Sequence, residues 1–109
     1  MNMSAKDEKT TVLLVFLPVK PEARDEFRAK LMEMGGYIAK EPQFVSAAIH
    51  EDRDDPDTLV LYETWNASPE DLAEQLKRPY RREYEASLGG LLKAERRIQF
   101  LSAPIATVP

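Results

Sequence analysis

The sequence HEDRDDPDTLVLYETW, residues 50–65, contains the pattern of a β-hairpin. Its middle, Asp52 to Asp57, is a strongly polar segment with a proline, and such segments typically form turns. Thr58 to Trp65 is rich in β-branched and aromatic residues, which indicates a strand. Pro42 to Glu51, before the turn, has small and β-favouring residues without a helical period. The stretch therefore predicts two strands joined by a short turn.

Directly after this hairpin, the sequence NASPED carries the signals with which helices begin. Asn66 or Ser68 is suited to be the N-cap, Pro69 fits the first turn, and the acidic residues that follow favour the positive end of the helix dipole. Pro79 should break this short helix. A second helical segment should start at Tyr80 and stop at the two glycines of residues 89–90. The sequence thus predicts a pair of helices separated by a proline.

Further strand and helix signals lie on both sides of this region. Residues 11–17, TVLLVFL, read as a strand that is apolar on both faces. Pro21 then starts a helix whose apolar residues recur at steps of three and four, and this helix should end near Gly35 and Gly36 or one turn later. Near the other end of the chain, residues 93–102 have the pattern of a last strand.

The predicted order is strand, helix, strand, strand, helical pair, strand. This is the α+β, ferredoxin-like split βαββαβ pattern, with helices on one face of a four-stranded antiparallel sheet. Because the strands are apolar on both sides, a second copy of the chain should cover the other face, and we expect a homodimer whose sheets pack face to face. The domain should span residues 11–102, between a frayed polar tail (residues 1–10) and a proline-rich tail (residues 103–109).

The composition excludes several classes of function. The chain has 109 residues, no cysteine and one histidine, so one domain is expected and a metal site is not. A net charge of -4 argues against a nucleic-acid partner. No apolar segment is long enough for a membrane span or a signal peptide, and we expect a cytoplasmic protein without a membrane partner.

These residues together resemble the antibiotic biosynthesis monooxygenase superfamily of dimeric α+β barrels. The resemblance covers about residues 10–102 and rests on VKPEARDEFRAKL after the first strand and on the hairpin that runs into the capped helix. It implies a small aromatic ligand and, in many members, a reaction with dioxygen that needs no cofactor. The haem-degrading branch is disfavoured, because the first strand has no asparagine and residues 80–91 contain no histidine.

Four side chains are candidates for binding the ligand. The resemblance matches Trp65 to the tryptophan that borders the family pocket, and its flat ring suits stacking, although core packing is the alternative. Tyr80 and Tyr84 lie one helical turn apart and have hydroxyls for a carbonyl or phenolate oxygen, unless they only pack on the core. Arg81 would contact an anionic substrate or, together with Arg82, remain a solvated helix charge.

Two side chains are candidates for the catalytic base. The resemblance matches Glu63 to the acidic residue of a YExW pattern, and strand alternation puts it on the same face as Trp65. His50 has an imidazole, which exchanges protons near neutral pH, but it borders an exposed acidic turn. The resemblance, together with these residues, implies a cofactor-independent monooxygenase of phenols or quinols. The alternatives are a non-catalytic module that binds or senses a small molecule, and a structural dimer with a filled core.

Overall fold

The structure, a computed structural model, describes residues 9–109. Four strands and three helices alternate in the predicted order, and a short 3₁₀ turn (Pro21–Ala23) leads into the first helix. The strands are β1 (Thr10–Pro18), β2 (Phe44–Glu51), β3 (Thr58–Asn66) and β4 (Arg97–Ser102), and the helices are α1 (Arg24–Ile38), α2 (Pro69–Gln75) and α3 (Pro79–Leu91).

The four strands form one antiparallel sheet in the order β2-β3-β1-β4. This confirms the predicted α+β, ferredoxin-like fold. The apolar stripes of the helices pack on one face of the sheet, called here the covered face. Alternation along β3 brings Leu59, Leu61, Glu63 and Trp65 to that face, as predicted. The buried core therefore lies between the sheet and the helix layer.

The opposite face of the sheet, called here the open face, carries no helix. Val12 is buried there, Leu14 and Phe16 are half-buried, and Tyr62 is 47% exposed. The guanidinium of Arg97 lies over the ring of Phe16, with Cζ 3.9 Å from the ring centroid. The open face is thus largely apolar and yet partly accessible to solvent.

The hairpin between β2 and β3 combines an ordered turn with a bulge. In the turn, the Thr58 hydroxyl donates a hydrogen bond of 2.7 Å to the Asp55 carboxylate. In β2, the pairing with β3 shifts between Phe44 and Ser46, so Val45 is an extra residue. A bulge of this kind changes which side chains of the strand face the helices.

Two element boundaries differ from those that the sequence predicts. The glycines at positions 89 and 90 do not stop α3, which continues to Leu91. Each of the two glycines costs the helix about 1 kcal/mol, and the burial of Leu88 and Leu91 outweighs this cost. The last strand begins at Arg97 rather than at Lys93, because the Lys93 amide donates to the carbonyl of Pro18 and the chain turns there.

The predicted tails are described only in part. Residues 1–8 of the predicted N-terminal tail lie outside the described residues, and β1 already begins at Thr10. After Ser102 the described chain contains no further helix or strand. Among residues 9–109, none of the helices has the length and apolar composition required to cross a membrane.

Candidate functional site

A cavity of about 150 Å³ lies between the covered face of the sheet and the helices. It is open to solvent near Phe100, a β4 residue that lines it and is itself exposed. Engineered protein cavities of about this volume hold one benzene ring. The apolar lining comes from both layers, including Leu13, Val15 and Leu61 of the sheet, Leu31, Met34 and Leu72 of the helices, and Ile98 and Phe100 of β4. A filled core, one of the alternatives from the sequence, is thus not what the chain builds.

Glu63 and Trp65 meet in the wall of this cavity. Being two residues apart on β3, they project from the same face, and the Trp65 indole Nε1 donates a hydrogen bond of 2.9 Å to Glu63 Oε1. Glu63 is only 8% exposed and Trp65 only 1%. The edge of Phe44 packs against the indole, with the ring centroids 5.3 Å apart. Trp65 therefore packs in the core and also holds the carboxylate, while its stacking on a ligand stays a prediction.

Tyr84 of α3 lines the same cavity from the helix side. Burial raises the pKa of Tyr84 to about 12, although the charge of Arg96 acts in the opposite direction. The phenol is therefore protonated at neutral pH. No residue between 9 and 109 forms a hydrogen bond with its hydroxyl, while the Phe27 ring packs beside it at 6.0 Å. Tyr84 can offer its O–H to a ligand oxygen.

Two arginines line the cavity, and their surroundings differ. Arg96 donates two hydrogen bonds of 2.7 Å to the carboxylate of Glu85, a bidentate ion pair. Arg81 is half-buried, and its Nε donates to Gln75 Oε1 at 3.0 Å. The interpretation of Arg81 as a purely solvated charge therefore does not describe its position, whereas Arg82 is exposed.

Tyr80 lies outside the cavity, although it is one helical turn from Tyr84. Its ring stacks on Tyr37, with centroids 5.0 Å apart, and its hydroxyl donates to Glu41 Oε1 at 2.9 Å. It also accepts a hydrogen bond of 2.6 Å from Gln75 Nε2. Tyr80 and Tyr84 together line a smaller pocket between α1 and α3, but only Tyr84 also lines the cavity described above.

His50 lies on the open face, where it pairs with Val60 in the register of β2 and β3. Glu63 faces the helices from the other side of the same sheet. The two candidate bases are therefore not brought together, and the cavity receives no imidazole from this chain, whose only histidine is His50.

Sequence reasoning missed Arg96 and Gln75 as residues near the cavity. Arg96 stands in a run of mixed charges, which is typical of a solvated surface, and its partner Glu85 is 11 residues away in α3. Gln75 is buried, and its polar side chain gives no sign of this in the sequence. Within the described part of the chain, no cluster of three or more acidic or histidine residues is arranged to hold a metal ion.

The fold recurs among solved structures. A protein from Methanosarcina mazei superimposes with a TM-score of 0.81 at 18% identity, over 94% of this chain and 100% of that one. SnoaB, a cofactor-independent oxygenase from Streptomyces nogalater, superimposes with a TM-score of 0.77 at 19% identity, over 93% and 98%. At such identities the likeness shows the fold alone.

A further solved structure is more similar in sequence. Rv0793 from Mycobacterium tuberculosis shares 27% identity with a TM-score of 0.78, over 92% of this chain and 99% of that one. Among curated proteins, none matches the sequence significantly. The family model described as antibiotic biosynthesis monooxygenase matches residues 10–87, most of the chain. This chain therefore belongs to the antibiotic biosynthesis monooxygenase family.

Proposed function

We propose that the protein is a cofactor-independent monooxygenase that oxidises a small phenol or quinol with dioxygen. The observation that carries the proposal is the buried Glu63 carboxylate, held by Trp65 in the wall of a mostly apolar cavity. Membership of the family and the likeness to SnoaB, which is a cofactor-independent oxygenase, support it.

The proposed chemistry begins with proton transfer from the phenol to Glu63. The resulting phenolate is electron-rich enough to give electrons to dioxygen itself. A ring carbon then gains one oxygen atom as a carbonyl, the second oxygen leaves as water with the displaced ring hydrogen and the phenolic proton, and the substrate supplies all the electrons. Tyr84 and Arg81 would stabilise negative charge on the substrate oxygen during these steps.

Oxygen consumption tests this proposal. Purified protein, treated with chelator, is incubated with a panel of phenols and quinols of one and two rings, including menadiol, and the uptake is compared with spontaneous oxidation. We expect a rate above background that Glu63→Gln removes. Glu95→Gln changes an exposed carboxylate and serves as the matched control. A panel in which no compound reacts faster than its spontaneous rate would contradict the proposal.

A second function, non-catalytic binding or sensing of a small aromatic molecule, has one observation in its favour. The cavity contains no imidazole, since the only histidine, His50, lies on the open face. Under this alternative, aromatic ligands raise the melting temperature without any turnover. Thermal shift and oxygen uptake measured on the same panel separate the two functions.

We propose, in addition, that the open face is covered by a second copy of the chain. The apolar side chains Leu14, Phe16 and Tyr62 support this, since exposed apolar patches typically mark interfaces. Sedimentation velocity on the full chain should give the mass of a dimer, and a monomer at micromolar concentration would contradict the proposal. A cytoplasmic location stays a prediction from the sequence.

A further inference from the structure

The two arginines that line the cavity differ in the groups that balance their positive charge. The charge of Arg96 is balanced by the bidentate pair with Glu85. Arg81 is bound at Nε to an uncharged amide, that of Gln75. Within the described chain, residues 9–109, its two terminal nitrogens have neither a carboxylate nor another hydrogen-bond partner. The cavity wall thus includes a half-buried cation with two donor nitrogens available to a ligand.

The orientation of the Gln75 amide is determined by its other neighbours. The Tyr80 hydroxyl donates its single hydrogen to the Glu41 carboxylate, which can only accept. The oxygen of Tyr80 must therefore accept from Gln75, and the NH₂ group of the amide faces it at 2.6 Å. The carbonyl of the amide consequently faces Arg81. If the amide were reversed, its NH₂ group would oppose the N–H of Arg81.

Burial and charge keep this chain of hydrogen bonds in one state. Gln75 is 4% exposed, so water has little access to replace its partners. Burial, together with the nearby Glu41 carboxylate, raises the pKa of Tyr80, which remains a donor at neutral pH. Arg78 Nε lies 3.3 Å from Glu41 Oε1, and this ion pair holds the carboxylate that ends the series of hydrogen bonds.

We propose that Gln75, fixed by Tyr80 and Glu41, is a positioning residue that directs Arg81 toward an acidic oxygen group, so that the cavity prefers a single-ring hydroxy-aromatic carboxylate to its neutral counterpart. The inference deepens the proposed function, on which it rests for the aromatic nature of the ligand. The planar guanidinium suits a carboxylate, which accepts two parallel hydrogen bonds. Glu63 is then left to receive the hydroxyl proton at another part of the same wall.

Binding without turnover tests the inference. The affinities of 3-hydroxybenzoate and 3-hydroxybenzamide for the full chain are measured by calorimetry at neutral pH. We expect the carboxylate to bind about tenfold more tightly or better, the value of a charge-assisted hydrogen bond. Arg81→Gln should remove this preference, whereas Arg82→Gln, with the same change of charge on an exposed neighbour, should retain it. Equal affinities in the wild type, or a preference that survives Arg81→Gln, would overturn the inference.

The role of Gln75 needs a variant of its own. In Gln75→Glu the new carboxylate would pair with Arg81, so the preference for 3-hydroxybenzoate should fall to near unity while the affinity for 3-hydroxybenzamide stays within about twofold. If Gln75 had a purely structural role, the substitution would instead lower the affinity for both ligands, and that result would overturn the inference. If Gln75→Glu does not fold, Tyr80→Phe removes the acceptor that orients the amide and should reduce the preference at least threefold.

The preference for the carboxylate and the proposed reaction with dioxygen can be tested independently of each other. A preference for the carboxylate without any oxygen uptake supports the role of Gln75 and contradicts the monooxygenase. Oxygen uptake from phenols without a preference for the carboxylate supports the reaction and contradicts the role of Gln75.

Discussion

The covered and open faces of the sheet have similar apolar strands but different surroundings. On the covered face, helices enclose Leu17 and Trp65 almost completely and leave a cavity beside Glu63. On the open face, Leu14 and Tyr62 have no helix above them and remain partly exposed. The hydrophobic pattern of the strands thus determines the sheet, whereas the helix layer determines which face can shield a reactive carboxylate from water.

The largest expected effect compares the two candidate bases. Glu63→Gln should lower the rate of oxygen uptake by about 10²–10⁴-fold, because an amide cannot accept the phenolic proton. Trp65 can still donate to the amide oxygen, so the fold should persist. His50→Gln, on the open face, should change the rate by less than about twofold. Steady-state kinetics with melting curves check both, and the reverse pattern would assign the base to the open face.

The next effect compares two leucines of β1 on opposite faces. Leu17→Ala should reduce the free energy of unfolding by about 2–5 kcal/mol, because it leaves a cavity in a packed core. Leu14→Ala should cost less than about 1.5 kcal/mol in dilute protein, since Leu14 is only half-buried in the single chain. Urea denaturation measures both values. Equal losses in dilute protein would mean that the open face is packed as tightly as the covered one.

A third effect concerns alkaline pH. Because burial raises the pKa of Tyr84 to about 12, the folded state holds this proton more tightly than the unfolded state, whose phenol has its ordinary pKa near 10. Below about pH 10 the protonated phenol makes its full contribution to the free energy of unfolding. This contribution, up to about 2–3 kcal/mol, is lost as the pH rises toward 12. Tyr84→Phe should remove this part of the alkaline loss, and Tyr62→Phe should retain it. Denaturation midpoints across this pH range measure the effect.

The smallest expected effect concerns association. Tyr62→Asp should weaken the proposed dimer by about 30-fold, or about 2 kcal/mol, because it buries a charge between apolar sheets. Ile49→Asp is the matched control, since Ile49 is about as exposed but lies on the covered side of edge strand β2. Sedimentation at several concentrations measures both variants. An equal response would locate the interface elsewhere.

The parts of the molecule that the sequence could predict depend on local periodicity. The pairing of Glu63 with Trp65 follows from a period of two, and the stripes of the helices follow from a period near four. Arg96 could not be placed, because its position depends on where β4 begins and on Glu85 of a separate helix. Gln75 likewise has its role through Tyr80 and Arg81, which approach it only once Pro79 sets the angle of α3.

The extra residue in β2 determines the side of the sheet on which the only imidazole lies. With Val45 present, Phe44 packs on Trp65 and His50 still faces away from the helices. Were β2 to pair with β3 without the bulge, regular alternation from Phe44 onward would carry His50 to the helix side, because His50 lies an even number of residues after Phe44. In evolutionary terms, the loss of one bulge through a one-residue change of register lies between this arrangement and a relative with an acid–base imidazole on the side of the sheet that holds Glu63.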